Sequence, residues 1–234
     1  MILIVSPPFV LRCLLYAISF LFILNCFAQF YVYTTEINSI SLKIINWLSF
    51  DREANIPTFY SAVNLCFSAL LLFLIAGLQK KVGNESKGWS FLGFVFLFLA
   101  FDEAASIHEA LIGITQRTLN TTGFFHYAWF IPYGIGLVIL CLIYIPFFKK
   151  LPKRSFFLFV TSGLIFVSGA IGFEMIGGKI REVQGHSVLY ALCFTLEETL
   201  EMLGVALFIY SLLDYIASSL DPVIKIGKGK QAFF

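Results

Sequence analysis

Six long apolar runs, at about 9–33, 59–79, 89–115, 127–148, 156–178 and 187–213, leave this chain few ways to fold. Each is long enough to cross roughly 30 Å of hydrocarbon, for which a helix needs about 20 residues. In a bilayer only helices and closed barrels satisfy their own backbone groups, and these runs lack the alternation of barrel strands. The sequence therefore predicts an all-α fold: a polytopic transmembrane helical bundle of six spans within residues 1–214, with a cytoplasmic tail at 215–234. Composition agrees, since 59% hydrophobic against 13% charged residues and a mean hydropathy of +0.88 lie outside the soluble range. The partner implied is the lipid bilayer, and a formal charge of +2 gives no ground for a nucleic-acid partner.

The cationic residues orient the spans. Lys80, Lys81, Lys87, Lys149, Lys150, Lys153, Arg154, Lys225, Lys228 and Lys230 follow even-numbered runs, ten against the five of Lys43, Arg52, Arg117, Lys179 and Arg181 in the opposite loops. By the positive-inside rule the former segments are cytoplasmic, and both termini with them. The first run, with Arg12 before it and Cys26-Phe27-Ala28 near its end, also resembles a cleaved signal peptide, which would leave five spans. Cys13, Cys26, Cys66, Cys141 and Cys193 form no C-x-x-C pair and read as packing residues.

Acidic residues interrupt three of the runs. Asp102, Glu103 and Glu109 lie in the third, Glu174 in the fifth, and Glu197, Glu198 and Glu201 in the sixth, and none of these runs contains Lys or Arg. Helical rise puts Asp102 about 20 Å from the cytoplasmic start of its span, and the acids of the sixth run about 15 to 21 Å in from the outer side. The levels overlap in the outer half. Angular spacing places Asp102, Ser106 and Glu109 on one face of a continuous third helix, with Glu103 flanking and His108 pointing away. Glu197 and Glu201 share a face with Gly204, and Gly163, Ala170, Glu174 and Gly178 form a small-residue stripe suited to close helix contact.

An uncompensated acid at a helix centre costs about 2.5 to 3.5 kcal/mol on the insertion scale, so protons, metal cations or a water-filled vestibule must offset the charge. A carboxylate-rich pocket between helices suits a divalent metal ion, Mg, Ca, Mn, Fe or Zn. The expected metal ligands are Asp102, His108, Glu109, Glu174, Glu197 and Glu201, with Glu103 or Glu198 as the catalytic proton acceptor. The E-x-x-H pairs of di-iron bundles are missing, which argues against oxygen activation. His126 and His186 also sit near outer span ends, where an interfacial hydrogen-bonding role is the plainer reading. The loop FDREANIPTFYSA, residues 50–62, carries a helix start at Pro57 and places Glu53 and Asn55 where a lid over the site, or a substrate contact, is expected.

Taken together, FDREANIPTFYS, FDEAASIHE and LEETLEMLG resemble an orphan group of bacterial multi-pass membrane proteins with similar segments in this order, over roughly residues 48–205. The resemblance implies about six helices and a bacterial inner membrane, and carries no catalytic roles. Three functions remain open: a metal-dependent hydrolase for a lipid-like substrate, a proton- or cation-coupled transporter or channel, and a non-enzymatic assembly or sensor protein.

Overall fold

The computed structural model describes residues 6–220. They form helices and their connections, with no strand among them: α1 (Pro7–Thr34), α2 (Ser39–Leu48), α3 (Ile56–Lys81), α4 (Lys87–Ala105), α5 (Ile107–Leu119), α6 (Phe130–Lys150), α7 (Lys153–Val167), α8 (Glu174–Gln184) and α9 (Val188–Ser219). A π-helical segment, Ser168–Phe173, joins α7 to α8 into one continuous rod, Lys153–Gln184. Among the described residues, six helices are long and apolar enough to cross a membrane: α1, α3, α4, α6, the α7–α8 rod and α9.

The central member is α9, with α1, α3 and α7 packed around it. One apolar core occupies the half of the bundle that ends at Lys81, Lys87, Lys150 and Lys153, where Leu72, Ile75, Ile209 and Leu212 are fully buried beside Trp89, Phe159 and Phe208. Hydroxyls in this half turn back on their own helices, Ser68 donating to the Asn64 carbonyl and Ser211 to that of Leu207. Arg154 clamps this end through a two-pronged pair with Asp214, at 2.8 and 3.0 Å. A smaller core around Ile18, Leu21, Phe194, Met202 and Ala206 seats α1 on the other half of α9.

Two expectations about the spans are corrected. The third run is not one helix over 89–115, because Ser106 adopts a left-handed conformation (φ 50°, ψ 43°) that ends α4 and starts the separate, amphipathic α5. The sixth helix extends beyond residue 214 to Ser219, so the first residues assigned to a tail are helical. Lys225, Lys228 and Lys230 lie outside the described residues.

The small-residue stripe on the fifth span also works differently. Gly163 faces open space and Gly178 packs on Tyr127 and His126. The close approach to α9 is made instead by Gly169, where a Cβ would stand 2.6 Å from the Glu197 carbonyl oxygen, and by Gly204, where it would stand 2.7 Å from the Phe166 backbone nitrogen. The π segment accounts for the shift, since its wider turn rotates the downstream face relative to an unbroken α-helix. That rotation leaves Glu174 at the first position of α8.

Candidate functional site

The site begins with the break at Ser106. Because the chain turns there, the His108 backbone N–H comes back to donate to Asp102 Oδ1 at 2.8 Å, and the imidazole Nδ1 stands 3.3 Å from Asp102 Oδ2. A continuous helix would have held His108 away from that carboxylate. Asp102 is buried, and its Oδ1 also accepts from the Tyr133 hydroxyl at 2.9 Å. On its far side, His108 Nε2 lies 3.8 Å from Glu53 Oε1. The ring packs on Trp129 with centroids 4.8 Å apart, and the Trp129 indole N–H donates to Glu174 Oε1 at 2.8 Å.

Burial opposes a charge on His108, but the adjoining Asp102 and Glu53 carboxylates outweigh it and hold the imidazole above its ordinary pKa. For Glu53, in the loop ahead of α3, burial pushes the carboxyl up to about 7, with His108 opposing. Glu53 is thus brought to the range in which a side chain can both take and give a proton at neutral pH.

The remaining acids gather around this centre. Glu103 has Glu198, Glu53, Asp102 and Glu109 as electrostatic neighbours, and Glu201 has Glu103, Glu174, Glu53 and Asp102. Glu198 faces Glu201, Glu53, Glu174 and Glu109, while Glu197 comes within hydrogen-bonding reach of the Glu174 carboxyl. Glu103, Glu174, Glu197, Glu198 and Glu201 are each partly accessible. Glu109 is exposed on α5 with His108, Glu174, Asp51 and Arg52 for neighbours, so it stands at the rim and not on a common face with Asp102.

The loop beside this cluster is held, apart from Asn55, by residues that the sequence pattern does not single out. Asn25 of α1, fully buried, donates to the Thr195 hydroxyl at 2.9 Å and accepts from the Phe50 N–H at 3.0 Å. Gln29 bonds to Ser49. Tyr190 of α9 donates to Asp51 Oδ1 at 2.6 Å. Asn55 staples this loop: its amide donates to the carbonyls of Asn46, Ser49 and Arg52, and its oxygen caps α3 through the Thr58 N–H. Glu53 reaches the site, with the Thr58 hydroxyl donating to its Oε2. His186 faces Asp51 at 3.9 Å, and His126 packs by Gly178, so neither joins His108.

The donor chemistry, carboxylates with one imidazole, fits a hard divalent cation. The arrangement does not: among the described residues no set of three or more His, Cys, Asp or Glu side chains stands in metal-coordinating geometry.

Most of the chain, residues 12–215, matches one family model, described as a domain of unknown function (DUF8692). The chain belongs to the DUF8692 family. No curated protein and no solved structure matches it. The DUF8692 match spans every element of the site, from Asn25 on α1 to Glu201 on α9.

Proposed function

We propose that this protein is a membrane-embedded acid–base catalyst, a hydrolase for a lipid-like substrate. The observation that carries the reading is His108 between two carboxylates of different character. Asp102, fixed by the Tyr133 hydroxyl and a backbone N–H, orients the imidazole through Nδ1. Nε2 then faces Glu53 at 3.8 Å, too far for a direct hydrogen bond, so that a water or hydroxyl bonded to both would sit beside the line that joins them. In this reading His108 takes the proton of the attacking water and Glu53 returns one to the leaving group, a division of labour that orienting-carboxylate and imidazole pairs support. Glu103 and Glu198, the proton acceptors expected from sequence, then line the recess and set its field.

Protons shared among the carboxyls would offset the charge that their number brings into the bilayer, and Glu197 stands within hydrogen-bonding reach of Glu174. The excess of loop Lys and Arg at the opposite end favours an extracytoplasmic recess with both termini cytoplasmic. The motif resemblance adds a bacterial inner membrane to the proposal. Conduction across the bundle fits less well, because the fully buried Leu72, Ile75, Ile209 and Leu212 fill the other half of the bundle.

The donor set keeps a second reading in view, a divalent ion gathered by Glu103, Glu174, Glu197, Glu198 and Glu201 after side-chain rearrangement. Infrared spectra of the purified protein in vesicles, paired with metal analysis, separate the two. Protonated-carboxyl bands that persist at neutral pH and shrink in Glu174→Gln and Glu197→Gln are expected, with less than stoichiometric metal. Stoichiometric metal lost in both variants would replace protons by the ion, and ionised carboxylates without metal would sink both readings.

A further inference from the structure

The connection between α1 and α3 contains the helix α2, and residues 35–38 and 49–55 alone join it to the two spans. Helical spacing sorts its side chains into three sectors. Ile45, the buried residue of α2, faces the bundle, where α2 contacts α1 and α3. Ser39, Lys43 and Asn46 occupy a second sector, polar and exposed. Ile40, Ile44 and Trp47 make up the third, and they are 71%, 56% and 58% exposed although all three are large and apolar. A helix standing clear of the bilayer would leave that whole sector in water.

We infer that α2 lies flat in the membrane interface at this end of the bundle, with Ile40, Ile44 and Trp47 among the upper acyl chains of one phospholipid leaflet and Ser39, Lys43 and Asn46 toward water. Continuity with the spans selects lipid as the occupant. Trp47 lines one cleft with Ile56 and Phe59 of α3, and Phe59, 71% exposed near the start of that helix, carries the same apolar surface onto a membrane-spanning length. On the other side Phe30 is 68% exposed, one turn before the end of α1. Both ends of α2 are thus held at the level where the spans leave the bilayer, and a tryptophan with a lysine at the water edge suits that level. The depth of α2 in turn sets that of the site loop. Asn55 donates to the Asn46 carbonyl in the last turn of α2 and to the carbonyls of Ser49 and Arg52, which ties Glu53 to the headgroup level.

The test uses the full chain, its five native cysteines replaced, in phosphatidylcholine vesicles, with a nitroxide attached in turn to Ser39→Cys, Ile40→Cys, Ile44→Cys, Asn46→Cys and Trp47→Cys. Collisions with oxygen, which concentrates among the acyl chains, and with a water-soluble nickel chelate give the depth of each label. The labels replacing Ile40, Ile44 and Trp47 are expected to favour oxygen and to lie about 5 to 10 Å into the headgroup–acyl boundary, and those replacing Ser39 and Asn46 to favour nickel. Collisions that favour nickel at all five would put α2 in water. Protection of the apolar sector from both reagents would put a protein surface over it, such as a second copy of the chain. Either result overturns the inference. If the cysteine-free chain does not fold, the wild type decides. Phosphatidylcholine with a diazirine near the carbonyl end of its acyl chain should label α2 more strongly than phosphatidylcholine with the diazirine at the chain terminus, as mapped by mass spectrometry. Equal labelling, or none, overturns the inference as well. The labels report depth and not turnover, so these outcomes are independent of the acid–base reading.

Discussion

His108 and Glu53 show how far single residues here depend on burial and neighbours. The acids themselves were legible as a group, because ionisable residues in apolar runs stand out by composition alone. Their partners were not: Asn25, Tyr133, Trp129 and Tyr190 are unremarkable in membrane helices, and only tertiary contact gives them roles. Glu53 carries a prediction of its own. With its carboxyl near 7 against 4.5 unperturbed, the folded protein keeps a proton that the unfolded chain has lost between those values. Its contribution to stability is therefore full below about 4.5 and declines as pH rises to about 7. Thermal melts in detergent at pH 5 and pH 8 should show wild type losing more stability than Glu53→Gln, by up to about 3 kcal/mol. An identical pH response in the two proteins would contradict the burial of Glu53. At the same scale, Tyr133→Phe removes one of the two hydrogen bonds to Asp102 Oδ1 while keeping the ring. The imidazole of His108, followed by nuclear magnetic resonance, should then titrate at a changed pH, and an unchanged titration would show that Tyr133 does not bear on the pair.

At the scale of elements, hydropathy predicted the spanning helices well because length and apolarity alone define them. The departures occur where backbone geometry, not hydropathy, decides. Nothing in AASIHEA forbids a continuous helix, yet Ser106 is left-handed and the break creates the His108–Asp102 pair. The α2 helix, Ser39–Leu48, had a local signal in Asn38 and Ser41, which form a capping box over its first turn. Replacing Ser106 by Ala, a strong helix former, should favour a continuous α4–α5 helix and draw His108 off Asp102, whereas Ser106→Gly should preserve the turn. The readout is the His108 resonance, shifted toward an exposed imidazole in Ser106→Ala only. The π segment predicts a packing effect. Gly169→Ala places a methyl against the Glu197 carbonyl, and Gly204→Ala places one against the Phe166 backbone. Each should destabilise by about 1 to 3 kcal/mol, the usual range for an overpacked contact, while Gly163→Ala, facing open space, should not. Equal melting temperatures for all three would show that α7 and α9 do not approach as described.

For the molecule as a whole, the division of labour runs along the bundle axis. One half is an apolar core that ends at basic residues, and the other carries the carboxyl cluster beside a loop tied to α1 and α9. The convergence of three spans on a shared level followed from helical rise and topology, but its details required the break at Ser106 and the register change at the π segment. The proposed site depends above all on α4 and α9 bringing their acids together. Cysteine cross-linking tests this most directly, in the full chain with its five native cysteines replaced and Glu103→Cys paired with Glu198→Cys. Mild oxidation or a short bifunctional thiol reagent should join α4 to α9 within one chain in membranes. A control pair of Phe101→Cys, exposed on α4, with Glu198→Cys should not join. Absence of the Glu103–Glu198 link in folded protein, with both thiols shown to react singly, would contradict a shared recess.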